Sequence, residues 1–282
     1  MADLDVEQVT GPLAYHAEGP VWSAQWGGLR WVDMFAGDLL TLRPDGVVDR
    51  LPVGSPVAAF VRPRARGGYV VGLERGLGLA DGPDDAPTAQ EPLVGDAGER
   101  LNEAGCDPAG NLYVGTMRYD RADGGARLLR VDPDGAVEHV ATATISNGIA
   151  FSPDGARAYY NDTPTRRTDV LDVVDGRLTG RRPFHVTADL FPDGLTVDAA
   201  GNVWIAYYQG GRVRCVAPDG ELLTEVRLPA RLVTACAFGG PDLRDLYVTT
   251  SREGLADPEP EAGAVFRVRT DVPGLPVLPY AG

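Results

Sequence analysis

Four acid or amide side chains occupy the same place in a short segment that recurs along the chain. Three copies continue with glycine and an apolar run, at residues 18–22 (EGPVW), 147–151 (NGIAF) and 193–197 (DGLTV). A fourth copy, residues 102–106 (NEAGC), has the polar leading residue without the following glycine. Carboxylate and amide oxygens are hard ligands that suit Ca²⁺, Mg²⁺ or Mn²⁺. If Glu18, Asn102, Asn147 and Asp193 converge in the fold, they can hold one divalent cation.

The spacing of the surrounding strands indicates how these residues could converge. Predicted strands lie at residues 29–34, 69–73, 111–117, 158–161, 202–207 and 245–250. They recur about every 40 to 47 residues, the period of a β-propeller with four strands in each blade. A shorter apolar segment precedes each of them, at residues 18–22, 57–61, 102–106, 147–151, 193–197 and 234–238. We therefore predict an all-β fold, a six-bladed β-propeller around a central channel that contains a metal.

The shorter segments are the predicted innermost strands, so their leading residues should form a ring at one end of the channel. That ring consists of Glu18, Val57, Asn102, Asn147, Asp193 and Thr234. Each polar member by itself is explained as well by a turn, because Asn-Gly and Asp-Gly are common turn signals. Four acids or amides at one position of the repeat favour a metal site, since burying them together without a cation is unfavourable.

The pattern predicts one propeller domain over residues 1–282. No linker or change in composition divides the chain, and from Pro273 onward it is too rich in proline and glycine for a further strand. The last blade would then lack its fourth strand. Residues 4–9 have the pattern to supply it and to close the ring, which would leave no open sheet edge there.

The composition argues against several classes of partner. A formal net charge of −14 disfavours nucleic acid and anionic membranes, both of which require a basic surface. No apolar run approaches the roughly 18 residues of a membrane-spanning helix, and the first residues lack a secretory signal. Cys106, Cys215 and Cys236 have neither the number nor the spacing of a disulfide framework or a zinc site. We expect a cytoplasmic protein without a nucleic-acid or membrane partner; the oligomeric state is left open.

Several segments in order along the chain resemble a known family. Residues 17–22, 100–103, 107–110, 115–117, 146–149 and 192–195 are similar to the signature segments of the SMP-30/gluconolactonase (regucalcin-like) family. The resemblance covers nearly the whole chain. It implies a six-bladed propeller that holds one divalent metal in its channel and opens lactone rings, and therefore a small-molecule lactone or ester as the substrate.

The resemblance also implies unequal roles for the ring residues. Glu18, Asn147 and Asp193 match the family's metal ligands, whereas Asn102 and Arg100 match positions that contact the substrate. Glu103 stands where relatives often have aspartate, and we expect it beside the substrate with Asn102. The metal is left open among Ca²⁺, Zn²⁺, Mn²⁺, Mg²⁺ and Fe²⁺.

The implied reaction is hydrolysis of a sugar lactone or a related small cyclic ester. A cation would polarise the carbonyl, and Asp193 is the expected general base that takes a proton from the attacking water. His16, two residues before Glu18, is a candidate substrate contact or proton shuttle.

The sequence keeps other functions open. A propeller with this site could hydrolyse another ester or a phosphotriester, serve as a biosynthetic enzyme, or bind calcium without catalysis. Residues 118–121 (RYDR) depart from the sugar-lactone members of the family, which tend to carry acids there. Which lactone or ester is the substrate is therefore undecided at this stage.

Overall fold

The computed structural model describes residues 4–282 and contains six antiparallel sheets of four strands each. The innermost strand of each sheet contacts the innermost strands of the two neighbouring sheets, and the sixth contacts the first. The sheets are therefore the blades of a closed ring around a central channel. This confirms the predicted six-bladed β-propeller.

The strands are numbered along the chain, beginning with β1 (Val6–Gln8), and in each blade they run from the channel outward. The first blade has β2 (Ala17–Ser23), β3 (Gly28–Asp33), β4 (Asp38–Leu42) and β5 (Val48–Pro52). The second has β6 (Val61–Pro63), β7 (Tyr69–Gly72), β8 (Gly76–Ala80) and β9 (Thr88–Pro92). The third has β10 (Glu99–Cys106), β11 (Leu112–Arg118), β12 (Ala126–Val131) and β13 (Val137–Ala143).

The fourth blade has β14 (Ser146–Phe151), β15 (Arg157–Asp162), β16 (Arg167–Val174) and β17 (Arg177–Val186). The fifth has β18 (Phe191–Val197), β19 (Val203–Tyr208), β20 (Arg212–Val216) and β21 (Leu222–Arg227). The sixth has β22 (Leu232–Gly239), β23 (Asp245–Ser251) and β24 (Val265–Arg269), with β1 outermost. Single turns of 3-10 helix lie at Ala24–Trp26, Met34–Ala36 and Thr163–Thr165.

The inner strand of the second blade begins later than predicted. It starts at Val61 instead of Val57, although the backbones of Ala59 and Phe60 still exchange hydrogen bonds with Gly72. The Ser55 hydroxyl accepts hydrogen bonds from the backbone amides of Val57 (3.3 Å) and Glu74 (3.0 Å). Because this contact turns the chain at Val57, that side chain packs in the apolar core and does not join the ring of polar residues.

A recurring turn explains part of the sequence repeat. Between β10 and β11, Asp107 Oδ1 accepts hydrogen bonds from the amides of Ala109 and Asn111, both at 2.9 Å. Gly110 lies between them with φ of +84°, a conformation that favours glycine. Asp198 makes the same two contacts between β18 and β19. The segments DPAGN and DAAGN are thus the same structural turn in two blades.

The two ends of the chain have different positions in the ring. β1 pairs antiparallel with β24, with Val6 opposite Val268, so the start of the chain supplies the outer strand of the last blade. Residues 274–282 cross one end of the channel, from a bridge at Asp198 to a bridge at Arg64. Leu275, Val277 and Leu278 pack there against the cores of three different pairs of blades.

Buried apolar side chains fill the spaces between neighbouring blades. Phe60 of the second blade, for example, packs with Leu101 and Val114 of the third. The three cysteines are buried and unpaired in this core. Within residues 4–282, we find no helix with the length and apolar character needed to span a membrane.

Candidate metal centre and active site

The innermost strands are irregular at the residues that the sequence singles out. In β10, β14 and β18 the pairing with the next strand shifts by one residue at Asn102, Asn147 and Asp193, and in β2 it shifts directly after Glu18. Each shift is a β-bulge, which redirects a side chain out of the regular alternation of the strand. The bulges therefore explain how a strand packed between two neighbours can turn these side chains into the channel.

The glycines after the polar residues allow the blades to approach each other. A Cβ atom on Gly148 would lie 2.6 Å from the Leu195 amide nitrogen, and one on Gly194 would lie 2.4 Å from the Ala235 Cβ. Both distances are too short for any side chain. The Asn-Gly and Asp-Gly pairs lie inside β14 and β18, so they are not hairpin turns here. Their glycines instead allow close contact with the next inner strand.

One cavity brings together most of the predicted site residues. It lies at the end of the channel opposite residues 274–282, and its space of about 810 Å³ includes a part that is open to solvent. Its lining includes His16, Glu18, Arg100, Asn102, Asn147 and Asp193. Of the predicted site residues, only Glu103 does not line it. Thr234, the last ring position, is also absent, because its hydroxyl donates to the Ala17 carbonyl at 2.6 Å.

The side chain of Asn147 is fixed so that its oxygen lacks a partner. Its amide nitrogen donates to the Thr163 hydroxyl at 3.1 Å, and that hydroxyl donates to the Pro192 carbonyl at 2.9 Å. Because the Thr163 proton is used by Pro192, Thr163 accepts from the nitrogen end of the amide. Asn147 Oδ1 is buried without a hydrogen-bond partner among the described residues.

Two buried carboxylates share this region without a cationic partner of their own. Burial, followed by the negative charges of Asp193 and Glu103, raises the pKa of Glu18 well above its usual value. Burial and the charge of Glu103 raise the pKa of Asp193 in the same direction. Asp193 Oδ1, like Asn147 Oδ1, is buried and has no hydrogen-bond partner within residues 4–282. A cation bound among these oxygens would satisfy both atoms and remove the repulsion between the acids.

The residues present therefore fit a divalent cation held by hard oxygen ligands. The set contains two carboxylates and one amide oxygen. No cluster of three His, Cys, Asp or Glu side chains placed to share a metal occurs in the part of the chain that the structure describes. A site here depends on the Asn147 amide as its third protein ligand.

Asn102 differs from Glu18, Asn147 and Asp193, because both ends of its amide have protein partners. Its oxygen accepts from Arg100 Nη1 at 2.9 Å, and its nitrogen donates to the Ser146 carbonyl of the next blade at 3.0 Å. Arg100 Nη1 also donates to the Leu101 carbonyl at 2.9 Å. Asn102 thus holds the Arg100 guanidinium at the cavity wall.

His16 lies between the carboxylates and the rim of the cavity. Its Nδ1 atom is 2.7 Å from the Ser251 hydroxyl and 3.4 Å from a Glu253 oxygen, and its Nε2 atom is 4.0 Å from Glu18. Burial and the positive charge of Arg100 lower the pKa of His16 to about 3. The imidazole is therefore neutral in the metal-free protein at neutral pH.

Glu103 lies deeper in the channel, in a separate small cavity. One of its oxygens accepts from Arg62 Nη2 at 2.9 Å and from the Ala104 amide at 2.7 Å. Arg62 also donates to the Ala104 carbonyl. The structure thus places Glu103 in a buried ion pair and not with Arg100, Asn102 and His16 at the expected substrate position.

Other residues line the cavity that were not predicted as site residues: Met117, Arg121, Thr163, Phe191, Tyr208 and Glu253. Tyr208 donates its hydroxyl to Glu253 at 3.3 Å. Most of these residues lie at or just after the end of a second strand. Because second strands run antiparallel to the inner ones, their ends reach the end of the channel where the ligand segments begin. That position in the repeat was the available signal.

Comparison with known proteins gives a match over most of the chain. A family model described as the SMP-30/gluconolactonase/LRE-like region matches residues 16–252. A 6-deoxy-6-sulfogluconolactonase from Pseudomonas putida is 39% identical over 277 residues, which is 94% of each chain. A pentonolactonase, XacC, from Haloferax volcanii is 36% identical over 287 residues, which is 97% of each chain.

A solved structure resembles this chain over nearly its full length. It is a calcium-binding protein, regucalcin, from Agrobacterium tumefaciens, with a TM-score of 0.91 and 26% sequence identity. The match covers 99% of each chain. The same propeller thus occurs in a protein described as binding calcium, and two close relatives in sequence are named as lactonases.

Proposed function

The chain belongs to the SMP-30/gluconolactonase/LRE-like family, and on that premise we propose that it is a divalent-metal-dependent lactonase. Its substrate would be a sugar lactone or a related small cyclic ester. The observation that carries the proposal is the pair of buried oxygens without partners, Asn147 Oδ1 and Asp193 Oδ1, beside Glu18 in one open cavity.

Glu18, Asn147 and Asp193 would hold the cation. Their oxygens suit Ca²⁺, Mg²⁺ or Mn²⁺, and Zn²⁺ and Fe²⁺ remain to be compared by experiment. When bound, the cation would polarise the lactone carbonyl and stabilise the negative charge that its oxygen gains during the reaction.

The protein's own residues would then move the proton. In lactone hydrolysis water adds to the carbonyl carbon, the acyl–oxygen bond of the ring breaks, and the ring oxygen leaves as a hydroxyl. Asp193 takes the proton from the attacking water and returns it to the leaving oxygen. No net proton is therefore taken up or released until the product acid ionises. Glu18 is less suited as the base, because one of its oxygens already accepts from the Gly19 amide at 2.9 Å.

Substrate orientation would fall to the cavity wall. Asn102 holds Arg100 in place, and the Arg100 guanidinium faces the space in front of the ligands. His16 is neutral and is held in place by Ser251, so it can donate one hydrogen bond to a substrate hydroxyl or accept one from it. Because these contacts orient the bound substrate, less translational and rotational entropy remains to be lost on the way to the transition state.

The proposal is tested with a panel of lactones and with protein stripped of metal and reloaded with each cation in turn. We expect no turnover after stripping, recovery with at least one cation, and a loss of about 10²-fold or more in kcat for Asp193→Asn. Asp219→Asn, in an exposed turn of the same blade, is the matched control and should retain full activity. Equal rates for stripped and loaded protein would rule out the metal mechanism. Cation binding without turnover of any lactone or ester would instead favour a calcium-binding propeller.

A further inference from the structure

Arg100 is a buried cation without an acidic partner. It is 4% exposed, and its Nε atom has no hydrogen-bond partner in the described part of the chain. No carboxylate among residues 4–282 lies within 4.0 Å of its guanidinium. The Phe35 and Tyr119 rings lie 5.2 and 6.0 Å from it. A buried charge is normally paired, so an arginine in this state on a cavity wall has capacity for an anion from outside the protein.

A second arginine reaches the same cavity from the loop after β11. Arg121 has φ of +55°, a conformation that is uncommon for residues other than glycine. Contacts of Arg118 stabilise this loop conformation. Arg118 forms ion pairs with Asp96 (2.6 Å) and Asp120 (3.0 Å), and the Arg118 carbonyl accepts a hydrogen bond from the Arg121 amide. In the described part of the chain, the Arg121 side chain has neither a hydrogen bond nor an ion pair, and it lines the cavity.

The two guanidinium groups are close enough to affect each other. Burial lowers the pKa of Arg100. Tyr119, Glu253 and Glu18 act in the opposite direction and raise it, whereas the positive charge of Arg121 lowers it. The carboxylates that line the cavity are Glu18, Asp193 and Glu253. With the divalent cation of the proposed function in place, the positive charges exceed the negative ones by one, so the loaded cavity favours a single anionic group.

We propose that Arg100 and Arg121 form a subsite for an anionic substituent of the substrate. The preferred lactone would then carry a carboxylate, sulfonate or phosphate group away from the ester that is opened. This inference rests on the proposed lactonase function and specifies its substrate class. Guanidinium groups bind these oxyanions through paired hydrogen bonds, which a neutral sugar hydroxyl cannot match.

The first experiment compares lactones that differ in one substituent. Glucono-1,5-lactone is the neutral reference, and its 6-phosphate, its 6-deoxy-6-sulfonate and the lactone of glucaric acid carry the three anions. We expect kcat/KM for at least one anionic lactone to exceed that of the reference by about tenfold or more. That advantage should shrink as salt is raised. The relative rates identify which anion is preferred. A neutral lactone that is opened as fast as all three would overturn the inference and leave the lactonase function standing.

Variants of Arg121 test the subsite directly. Arg121→Asn removes the charge and retains a residue that tolerates the left-handed conformation, whereas Arg121→Lys keeps the charge. We expect Arg121→Asn to raise KM for the preferred anionic lactone about tenfold, with little change for the neutral one, and Arg121→Lys to restore most of the loss. Arg66→Asn, on the turn next to Tyr280 at the other end of the channel, is the control.

Binding without turnover separates this inference from the proposed function. 1,5-Anhydroglucitol 6-phosphate has no ester, and its affinity is compared by calorimetry with that of 1,5-anhydroglucitol in the metal-loaded protein. We expect the phosphate to bind more tightly and the difference to disappear in Arg121→Asn. Equal affinities in the unmodified protein would refute the subsite. If no lactone were opened but the phosphate still bound through Arg121, the lactonase proposal alone would fail.

Discussion

Two of the proposed ligands, Asn147 and Asp193, are followed by a glycine that packs against the next inner strand. Asn147 and Asp193 stand on bulges, and the glycines after them let the next inner strand come within contact of the backbone. The same short motif therefore positions a ligand and sets the spacing of two blades. We therefore expect the glycine to affect the site as well as the packing of the blades.

The substitution Gly148→Ala tests that coupling at the residue scale. Its Cβ would lie 2.6 Å from the Leu195 amide nitrogen and 2.8 Å from the Asp193 carbonyl oxygen, so the fourth and fifth blades must move apart. We expect a loss of about 1–3 kcal/mol in the free energy of unfolding, and weaker cation binding by calorimetry. Gly95→Ala is the control, because an added Cβ there meets no atom within 4 Å. Unchanged cation affinity in Gly148→Ala would show that the spacing of the blades does not determine the site.

At the scale of elements, the two ends of the channel are closed in different ways. One end is the open cavity with the proposed metal ligands, and the other is crossed by residues 274–282. That segment has no regular secondary structure, yet its apolar side chains pack on several blades. It holds separate blades together by burial of apolar area.

Tyr280→Ala tests the contribution of that segment. Tyr280 is 4% exposed, packs with the core of the second and third blades, and donates its hydroxyl to the Asp132 carbonyl at 2.9 Å. We expect chemical denaturation to show a loss of about 3 kcal/mol or more, because a large cavity remains. Tyr280→Phe should lose only about 1 kcal/mol, the value of the hydrogen bond. Cation affinity should stay the same in both variants, and a marked change would contradict the separation of the two ends.

At the scale of the whole molecule, the sixth blade joins β1 to three strands from the last fifth of the sequence. Three of its strands come from residues 232–269 and the fourth is β1. Val6 and Leu4 pack on the core that contains Phe266 and Val268. The ring is therefore closed by contacts between residues far apart in sequence, such as Val6 and Val268, and closure is expected late in folding.

A variant that begins at Gly11 tests this closure. Without β1, the edge of β24 and the side chains beneath it are exposed, so we expect a fall of about 5 °C or more in the thermal midpoint and association detectable by light scattering. Glu7→Gln is the control, because it removes only an exposed ion pair with Arg267 at 2.6 Å and should change stability by less than about 1 kcal/mol. A midpoint equal to that of the full chain would mean that β1 adds nothing to the ring.

The fold class and the residues at the ring positions could be read from the sequence because they follow from local rules. Strand alternation, turn residues and a constant period depend on residues close together in the chain, and each of the six blades repeats them. The repeat therefore determined the six-bladed architecture. It also singled out Glu18, Asn102, Asn147 and Asp193, which the fold brings to one cavity.

Only the tertiary structure decided which of two neighbouring side chains on an inner strand lines the cavity and which is buried elsewhere. Glu103 pairs with Arg62 deep in the channel, while the adjacent Asn102 points to the cavity and is held by Arg100. Glu253 and Arg121 reach the same cavity from other blades, and although both follow the end of a second strand, that position does not show which side chains there turn inward. These placements depend on bulges, on loop conformation and on contacts between residues distant in sequence. Such contacts arise only when the blades pack, so a sequence repeat cannot specify them.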